Sequence, residues 1–201
     1  MKNYKSIFLA VCLTFIYTVN FGQIVKLNIS NDETEMTVSG TSTLHDWTSE
    51  VKTVNGYVEI GSKMLKKSKV KSGDVLPSVS IVVPVKSIVS PRGATMDKKT
   101  YNALKAEENP DITFDMKDCK VTSSTDAGFK LNASGNLTIA GVTKEVEFPV
   151  DGKFISNEKL SFTGAYKLNM VEYDMEPPSA MFGQIETGEE VEIKFELIVI
   201  K

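Results

Sequence analysis

Histidine and cysteine are almost absent from this chain of 201 residues, which contains one histidine and two cysteines. Two cysteines cannot build a disulfide-rich scaffold or a four-cysteine zinc site, and one histidine excludes sites with several histidine ligands. An excess of basic residues is also lacking, because 23 Lys and Arg stand against 26 Asp and Glu, a net charge of −3. We therefore expect no nucleic-acid partner. The remaining composition, 41% hydrophobic and 24% charged, is typical of a globular domain.

An apolar segment near the N-terminus is too short to cross a membrane as a helix. Residues 7–19 are uncharged and mostly apolar, whereas a spanning helix needs about 20 such residues. Lys2 and Lys5 precede the segment, a pattern typical of a secretory signal peptide. We expect residues 1–22 to be such a signal and the protein to be exported, periplasmic or extracellular; an uncut membrane anchor is the alternative. Removal of two lysines with this segment would leave Cys119 and a net charge of −5.

From residue 23 onwards, apolar and polar residues alternate with period two in most segments, which indicates β-strands with one apolar face. The clearest segment is 191–197, where apolar side chains alternate with charged ones. Four dipeptides predict turns: Asn55-Gly56, Ala140-Gly141, Asp151-Gly152 and Thr187-Gly188. The pattern predicts one all-β domain over residues 23–201 with eight or more antiparallel strands. A closed barrel and a two-sheet sandwich both satisfy it.

One segment breaks the alternation. Residues 96–108 (MDKKTYNALKAEE) contain good helix formers and place Tyr101 and Leu104 at helical spacing. Thr95 or Asp97 is positioned to cap the start, and Asn109-Pro110 ends the segment. We predict a short helix on a connection between two strands.

Four segments of the second half carry a family resemblance. They read EENPDITFDMKD at 107–118, GNLTIAGVTKEVEFPV at 135–150, LNMVEYDMEPPSAMFG at 168–183 and GEEVEIKFEL at 188–197. Their order and spacing resemble the YceI-like family of exported bacterial lipid-binding proteins, whereas SGTSTLHDW at 39–47 departs from the commonest form of that family. The resemblance implies an elongated, lipocalin-like eight-stranded antiparallel barrel with a helix near one end. It also implies a polyisoprenoid or similar lipid as ligand, no catalytic residue, no cofactor or metal, and, more weakly, a homodimer.

The residues expected to contact the lipid lie on the apolar faces of the strands and on the loop that follows residue 170. They are Phe114, Met116, Leu131, Leu137, Ile139, Phe148, Phe162, Leu168, Met170, Met181 and Phe182. The same faces would also fill a solid core, so the alternation alone does not separate lipid binding from packing. Two other functions therefore stay open: an envelope stress-response or protein-interaction module without a lipid, and an enzyme of isoprenoid lipid metabolism.

The histidine invites a catalytic interpretation. His45 and Asp46 could combine with Ser39, Ser42 or Ser49 in a nucleophilic triad. Adjacent residues of a strand point to opposite faces, so Asp46 is badly placed to orient His45, and the sequence has no Gly-x-Ser-x-Gly motif. We expect no triad, and we interpret His45 as a surface residue or a hydrogen-bonding residue at the barrel mouth.

Other residues also have two interpretations. Trp47 either fills the core or stacks on a ligand. Met170, Met175 and Met181 either line a pocket or pack in the core, or else they join a soft metal site. The lysine-rich run 63–71 is either a solvated edge or a transient contact with anionic lipid head groups. We favour the first interpretation in each case.

Overall fold

The computed structural model describes residues 23–66, 69–180 and 183–201. The predicted signal peptide at residues 1–22 and two predicted lipid-binding residues, Met181 and Phe182, lie outside the described residues.

The described chain is almost entirely β-structure with one α-helix, as predicted. Strands β1 to β12 are, in order, Ile24–Ile29, Glu35–Ser42, Trp47–Val51, Asn55–Gly61, Ser78–Pro84, Ile88–Val89, Asp111–Ser124, Gly128–Ile139, Val142–Phe154, Lys159–Asn169, Ser179–Ala180 and Ile185–Ile200. Helix α1 spans Ala94–Ala103, and 3-10 turns lie at Ser62–Leu65, Val85–Ser87 and Met170–Tyr173. Within these ranges no helix is long and apolar enough to cross a bilayer.

The strands close into a barrel, which excludes the two-sheet sandwich. We call each full-length position in the barrel wall a stave. Three staves are interrupted, and each consists of two successive strands: β1 and β2, β3 and β4, and β5 and β6. The first two of these staves pair antiparallel through β1 with β4 and β2 with β3, and the second and third through β4 with β5 and β3 with β6. The ring continues through β7, β8, β9, β10 and β12, and β12 closes it by pairing with both β2 and β1. Counted in staves, the barrel has eight, as the family resemblance implies.

Only one of the four predicted turns is a turn. Ala140-Gly141 joins β8 to β9 with both residues at positive φ, 50° and 85°, the backbone that a two-residue hairpin requires. Asn55-Gly56 opens β4, and Gly152 and Gly188 lie within β9 and β12. Gly152 is a glycine because an aromatic ring lies close to its backbone: a Cβ at this position would lie 2.4 Å from the ring of Phe129.

The predicted helix exists, but its bounds and its cap were wrong. It begins after Gly93, which has a φ of 86°, and no side chain caps it. Asp97 instead accepts a hydrogen bond from the backbone N–H of Ser90 at 2.7 Å. The helix ends at Ala103 because Leu104 and the later Ala106 are both buried, which requires the chain to turn inward at Lys105, where φ is 51°.

The barrel is closed at the end away from α1 and broken at the end near it. The connection from β4 to β5 buries Met64, Val70 and Leu76 against the closed end. At the other end β6 has no pairing with β7, and α1 packs beside β6 on the connection between these strands. We call the end beside α1 the mouth.

Candidate functional site

The barrel interior contains two adjoining cavities. The one at the mouth, which we call the mouth cavity, has a volume of about 450 Å³. The second, which we call the deep cavity, has a volume of about 140 Å³. Ile112 and Ile193 line both. The two cavities succeed each other along β8. Leu131 and Leu137 line the deep cavity, and Ile139, the last residue of the strand, lines the mouth cavity.

The wall of the deep cavity is almost entirely carbon. Six of the predicted lipid-binding residues line it: Phe114, Met116, Leu131, Leu137, Phe148 and Phe162. Phe148 stands at the centre of an aromatic cluster, with ring centroids 5.5 Å from Phe114, 5.6 Å from Tyr166 and 6.1 Å from Phe195. Such separations suit tilted and edge-to-face ring contacts. A ligand in this cavity would meet hydrocarbon on all sides.

Glycines on the strands make room for these rings. A Cβ at Gly135 would lie 2.7 Å from the Phe114 ring, and a Cβ at Gly164 would lie 2.5 Å from the Phe195 ring. Real Cβ atoms do not approach other atoms this closely, so each ring can lie over the backbone only because the residue below it is glycine.

The mouth cavity combines strand residues with parts that the alternation does not reveal. Three predicted residues line it: Ile139, Leu168 and Met170. Further lining residues come from α1, from the loop between β2 and β3, and from the 90–92 segment, and sequence reasoning missed them as a group. On α1 they include Met96, Thr100 and Ala103, whose spacing of four and then three residues marks one helical face and was available as a signal.

His45 forms no catalytic triad. It is exposed in the wall of the mouth cavity, with Nδ1 3.0 Å from the carbonyl oxygen of Asp46. The hydroxyl of Ser42 donates to the carbonyl oxygen of His45 at 2.7 Å and does not meet the imidazole. Ser39 donates to the carbonyl oxygen of Glu192 at 3.4 Å. In the described ranges no group of three His, Cys, Asp or Glu side chains is placed to hold a metal ion.

Trp47, Met170 and Met175 belong to the mouth cavity. The indole Nε1 of Trp47 donates to the carbonyl oxygen of Thr41 at 3.1 Å, and the ring forms part of the wall. Met170 and Met175 are both buried and line the same cavity, together with Pro178. Their position agrees with the pocket-lining interpretation of these methionines.

Cys119 is a buried residue in the wall of the deep cavity. Burial, and secondarily the negative charge of Asp118, raise the pKa of its thiol to about 12. Because the thiolate is the reactive form, this thiol is a poor nucleophile at neutral pH.

The ladder between β9 and β10 is incomplete on the mouth side. The two strands pair from Phe154 opposite Leu160 to Val150 opposite Gly164, and no further. Tyr173, fully buried, lies at this open seam, with Nζ of Lys144 on β9 5.9 Å from its ring centroid. Burial raises the pKa of Tyr173, and the neighbouring Tyr166 of β10 raises it further. Lys144 also pairs with Glu172 at 3.6 Å, which ties the 3-10 turn after β10 to β9.

The described part of the lysine-rich run belongs to the closed end. Lys63 pairs with Asp74 at 2.7 Å, while the neighbouring Met64 and Leu65 are buried. Lys67 lies outside the described residues.

Comparison with known proteins finds one family and several similar folds. The sequence model of the YceI-like domain family matches residues 26–199. BcnA of Burkholderia cenocepacia is 18% identical with a TM-score of 0.64, covering 85% of this chain and 98% of its own. A polyisoprenoid binding domain from Saccharophagus degradans, implicated in plant cell wall breakdown, is 10% identical with a TM-score of 0.62, covering 87% and 97%. The YceI protein of Campylobacter jejuni is 16% identical with a TM-score of 0.57, covering 76% and 84%.

No match is found among the curated proteins. The three structures are too distant in sequence to show more than the fold. The family model, however, spans nearly all of the described barrel, including the strands that line both cavities. The chain therefore belongs to the YceI-like family.

Proposed function

We propose that this protein binds a long apolar lipid of the polyisoprenoid class inside its barrel and carries or stores that lipid in the cell envelope, without catalysis. The observation that carries the proposal is the pair of adjoining cavities that succeed each other along β8. Apolar side chains face into both, and they include nine of the residues predicted for lipid binding.

The walls of the deep cavity lack packing partners on the side that faces the cavity. Protein cores are normally packed as densely as organic crystals. An apolar chain in this space of about 140 Å³ would supply the contacts, and each buried methylene contributes about 0.8 kcal/mol. A slender chain suits an eight-stranded barrel, which has room for one small ligand.

The relatives support the same ligand class. One protein of similar fold is described as a polyisoprenoid binding domain, and the family resemblance implies an exported lipid-binding protein. Residues 1–22 have the character of a secretory signal, which would deliver the barrel to the periplasm or the outside of the cell. The buried, protonated Cys119 and the absence of a triad at His45 fit a container better than an enzyme.

The test is to purify the protein from its exported form, extract it with organic solvent and identify bound lipid by mass spectrometry. Ala133 lines the deep cavity and is buried, so Ala133→Phe should fill the space and displace the lipid. Ala165 is exposed on β10, so Ala165→Phe is the matched control and should retain lipid.

We expect stoichiometric lipid in the wild type and in the Ala165→Phe control, and a strong loss of lipid in Ala133→Phe. If Ala133→Phe fails to fold, Ala133→Leu provides a smaller filling of the same space. A folded wild-type protein that yields no lipid, even after incubation with a polyprenol, would overturn the proposal and favour the protein-interaction module.

A further inference from the structure

The two cavities differ in polarity, which gives a bound lipid a direction. The deep cavity has aromatic and aliphatic walls, and its titratable lining residues are Cys119 and Tyr166. The mouth cavity contains the charged side chains of Asp46, Arg92 and Lys99 as well as several hydroxyl groups. Because an unpaired polar group in an apolar cavity is strongly unfavourable, the head of an amphiphile belongs at the mouth and its tail in the deep cavity.

The side chains that line the mouth cavity carry more basic than acidic charge. Six acidic residues of the 3-10 turn after β10, the segment that follows it and the start of β12 do not line the cavity: Glu172, Asp174, Glu176, Glu186, Glu189 and Glu190. Two basic side chains and one acidic side chain do line it. This local excess of positive charge stands in a chain whose overall charge is −3.

The two basic side chains are free to bind an anion. Neither Arg92 nor Lys99 forms an ion pair with a carboxylate in the part of the chain that the structure describes. Lys99 is half-buried on α1, and its Nζ donates to the carbonyl oxygen of Ser179 at 2.8 Å, which holds the ammonium between α1 and β11. That bond uses one of the three N–H donors of the ammonium. Arg92 adds a guanidinium fork, which suits phosphate or carboxylate oxygens.

We propose that Arg92 and Lys99 form a head-group site for an anionic amphiphile, an isoprenoid that carries a phosphate or carboxylate, while its hydrocarbon tail occupies the deep cavity. The inference rests on the proposed function and narrows it from apolar lipids in general to lipids with an acidic head. Lys99 is half-buried, which strengthens its charge-assisted contact, whereas Arg92 is exposed and reaches the head group from the rim of the cavity. Lipids with a neutral head would bind through the tail alone.

The experiment compares two ligands with the same tail, farnesyl monophosphate and farnesol. Trp47 is the single tryptophan of the chain and forms part of the mouth-cavity wall, so its fluorescence reports binding without a label. Bound lipid is first removed with a hydrophobic exchange resin, and binding is measured in low salt, where charge interactions are least screened. We expect farnesyl monophosphate to bind at least about ten-fold more tightly than farnesol, the effect of one charge-assisted hydrogen bond.

The variants Arg92→Gln and Lys99→Gln should each weaken the binding of farnesyl monophosphate about ten-fold and weaken that of farnesol much less. Lys98→Gln is the matched control, because Lys98 is exposed on the same helix and does not line the cavity. Inorganic phosphate in large excess should not displace farnesyl monophosphate, since it lacks the tail.

Each outcome separates the two proposals. Equal affinity for both ligands, or equal weakening of both in the variants, would overturn the head-group site and leave lipid binding intact. Displacement by inorganic phosphate would make the site one for free anions and would also overturn this inference. Failure of both ligands to bind the wild type would instead contradict the proposed function itself.

Discussion

The deep cavity and the mouth cavity are built by different means. The face of β8, which pairs with β9 along its whole length from Gly128 opposite Lys153 to Ile139 opposite Val142, lines the deep cavity and reaches the mouth. At the mouth, α1 and the loop between β2 and β3 complete the wall. The ladder between β9 and β10 stops at Val150 opposite Gly164. Strand faces therefore form the deep chamber, whereas a helix and loops complete its entrance.

The largest effect should come from a charge placed in the deep cavity. We expect Phe148→Asp to lower the free energy of unfolding by roughly 3–5 kcal/mol, because it removes the centre of an aromatic cluster and exposes a carboxylate to a carbon-lined space. Chemical denaturation measures the loss. Lys153→Asp introduces the same carboxylate at an exposed position of the same strand and should change stability little. Unchanged stability and lipid content in Phe148→Asp would show that this face does not point inward.

A smaller effect should follow from a single methyl group under a deep aromatic ring. Gly164→Ala places a Cβ 2.5 Å from the ring of Phe195, which lines the deep cavity, and should lower the free energy of unfolding by about 1–3 kcal/mol. Gly61→Ala is the matched control, since a Cβ at Gly61 meets nothing within 4 Å. Thermal unfolding of the two variants compares them directly. Equal midpoints would mean that the Phe195 ring moves aside without cost.

The contrast between the two ends also explains which features the sequence predicts. Alternation assigns a side chain to a face, and it placed Phe114, Leu131 and Phe148 on the interior face because β7, β8 and β9 are long. In β7 the register shifts twice after Phe114, at 116–118 and at 121–123. The family resemblance supplied the number of staves, which alternation left open between a barrel and a sandwich. Ring closure depends on β12 pairing with both β2 and β1, and contacts between the two ends of the chain have no local signature.

The mouth was harder to predict because its residues lie on a helix and on loops, where apolar and polar residues do not alternate. Asp97 has the character of a helix cap, yet its carboxylate holds the Ser90 backbone instead. Lys99 reaches the cavity through the placement of α1, and Arg92 through the segment that precedes α1; tertiary packing decides both.

The smallest effect concerns the seam at the mouth. The hydroxyl of Tyr173 is buried, and in the described part of the chain it is the single buried side-chain polar atom without a partner in hydrogen-bond geometry, although burial and, secondarily, the nearby Tyr166 raise its pKa. An unsatisfied buried hydroxyl costs about 1–3 kcal/mol, so Tyr173→Phe should raise the free energy of unfolding by roughly 1 kcal/mol. Tyr101→Phe is the opposite case, because the Tyr101 hydroxyl donates to the carbonyl oxygen of Lys86 at 3.0 Å.

Removing that satisfied bond should lower the free energy of unfolding by about 1 kcal/mol. The two tyrosine variants, compared by urea denaturation, should thus move in opposite directions although each loses the same atom. A loss of stability in Tyr173→Phe would show that its hydroxyl has a partner in solution, with Tyr166 or a bound water as the nearest choices. Side chains would then close the seam between β9 and β10 with a polar bridge where the strand pairing stops.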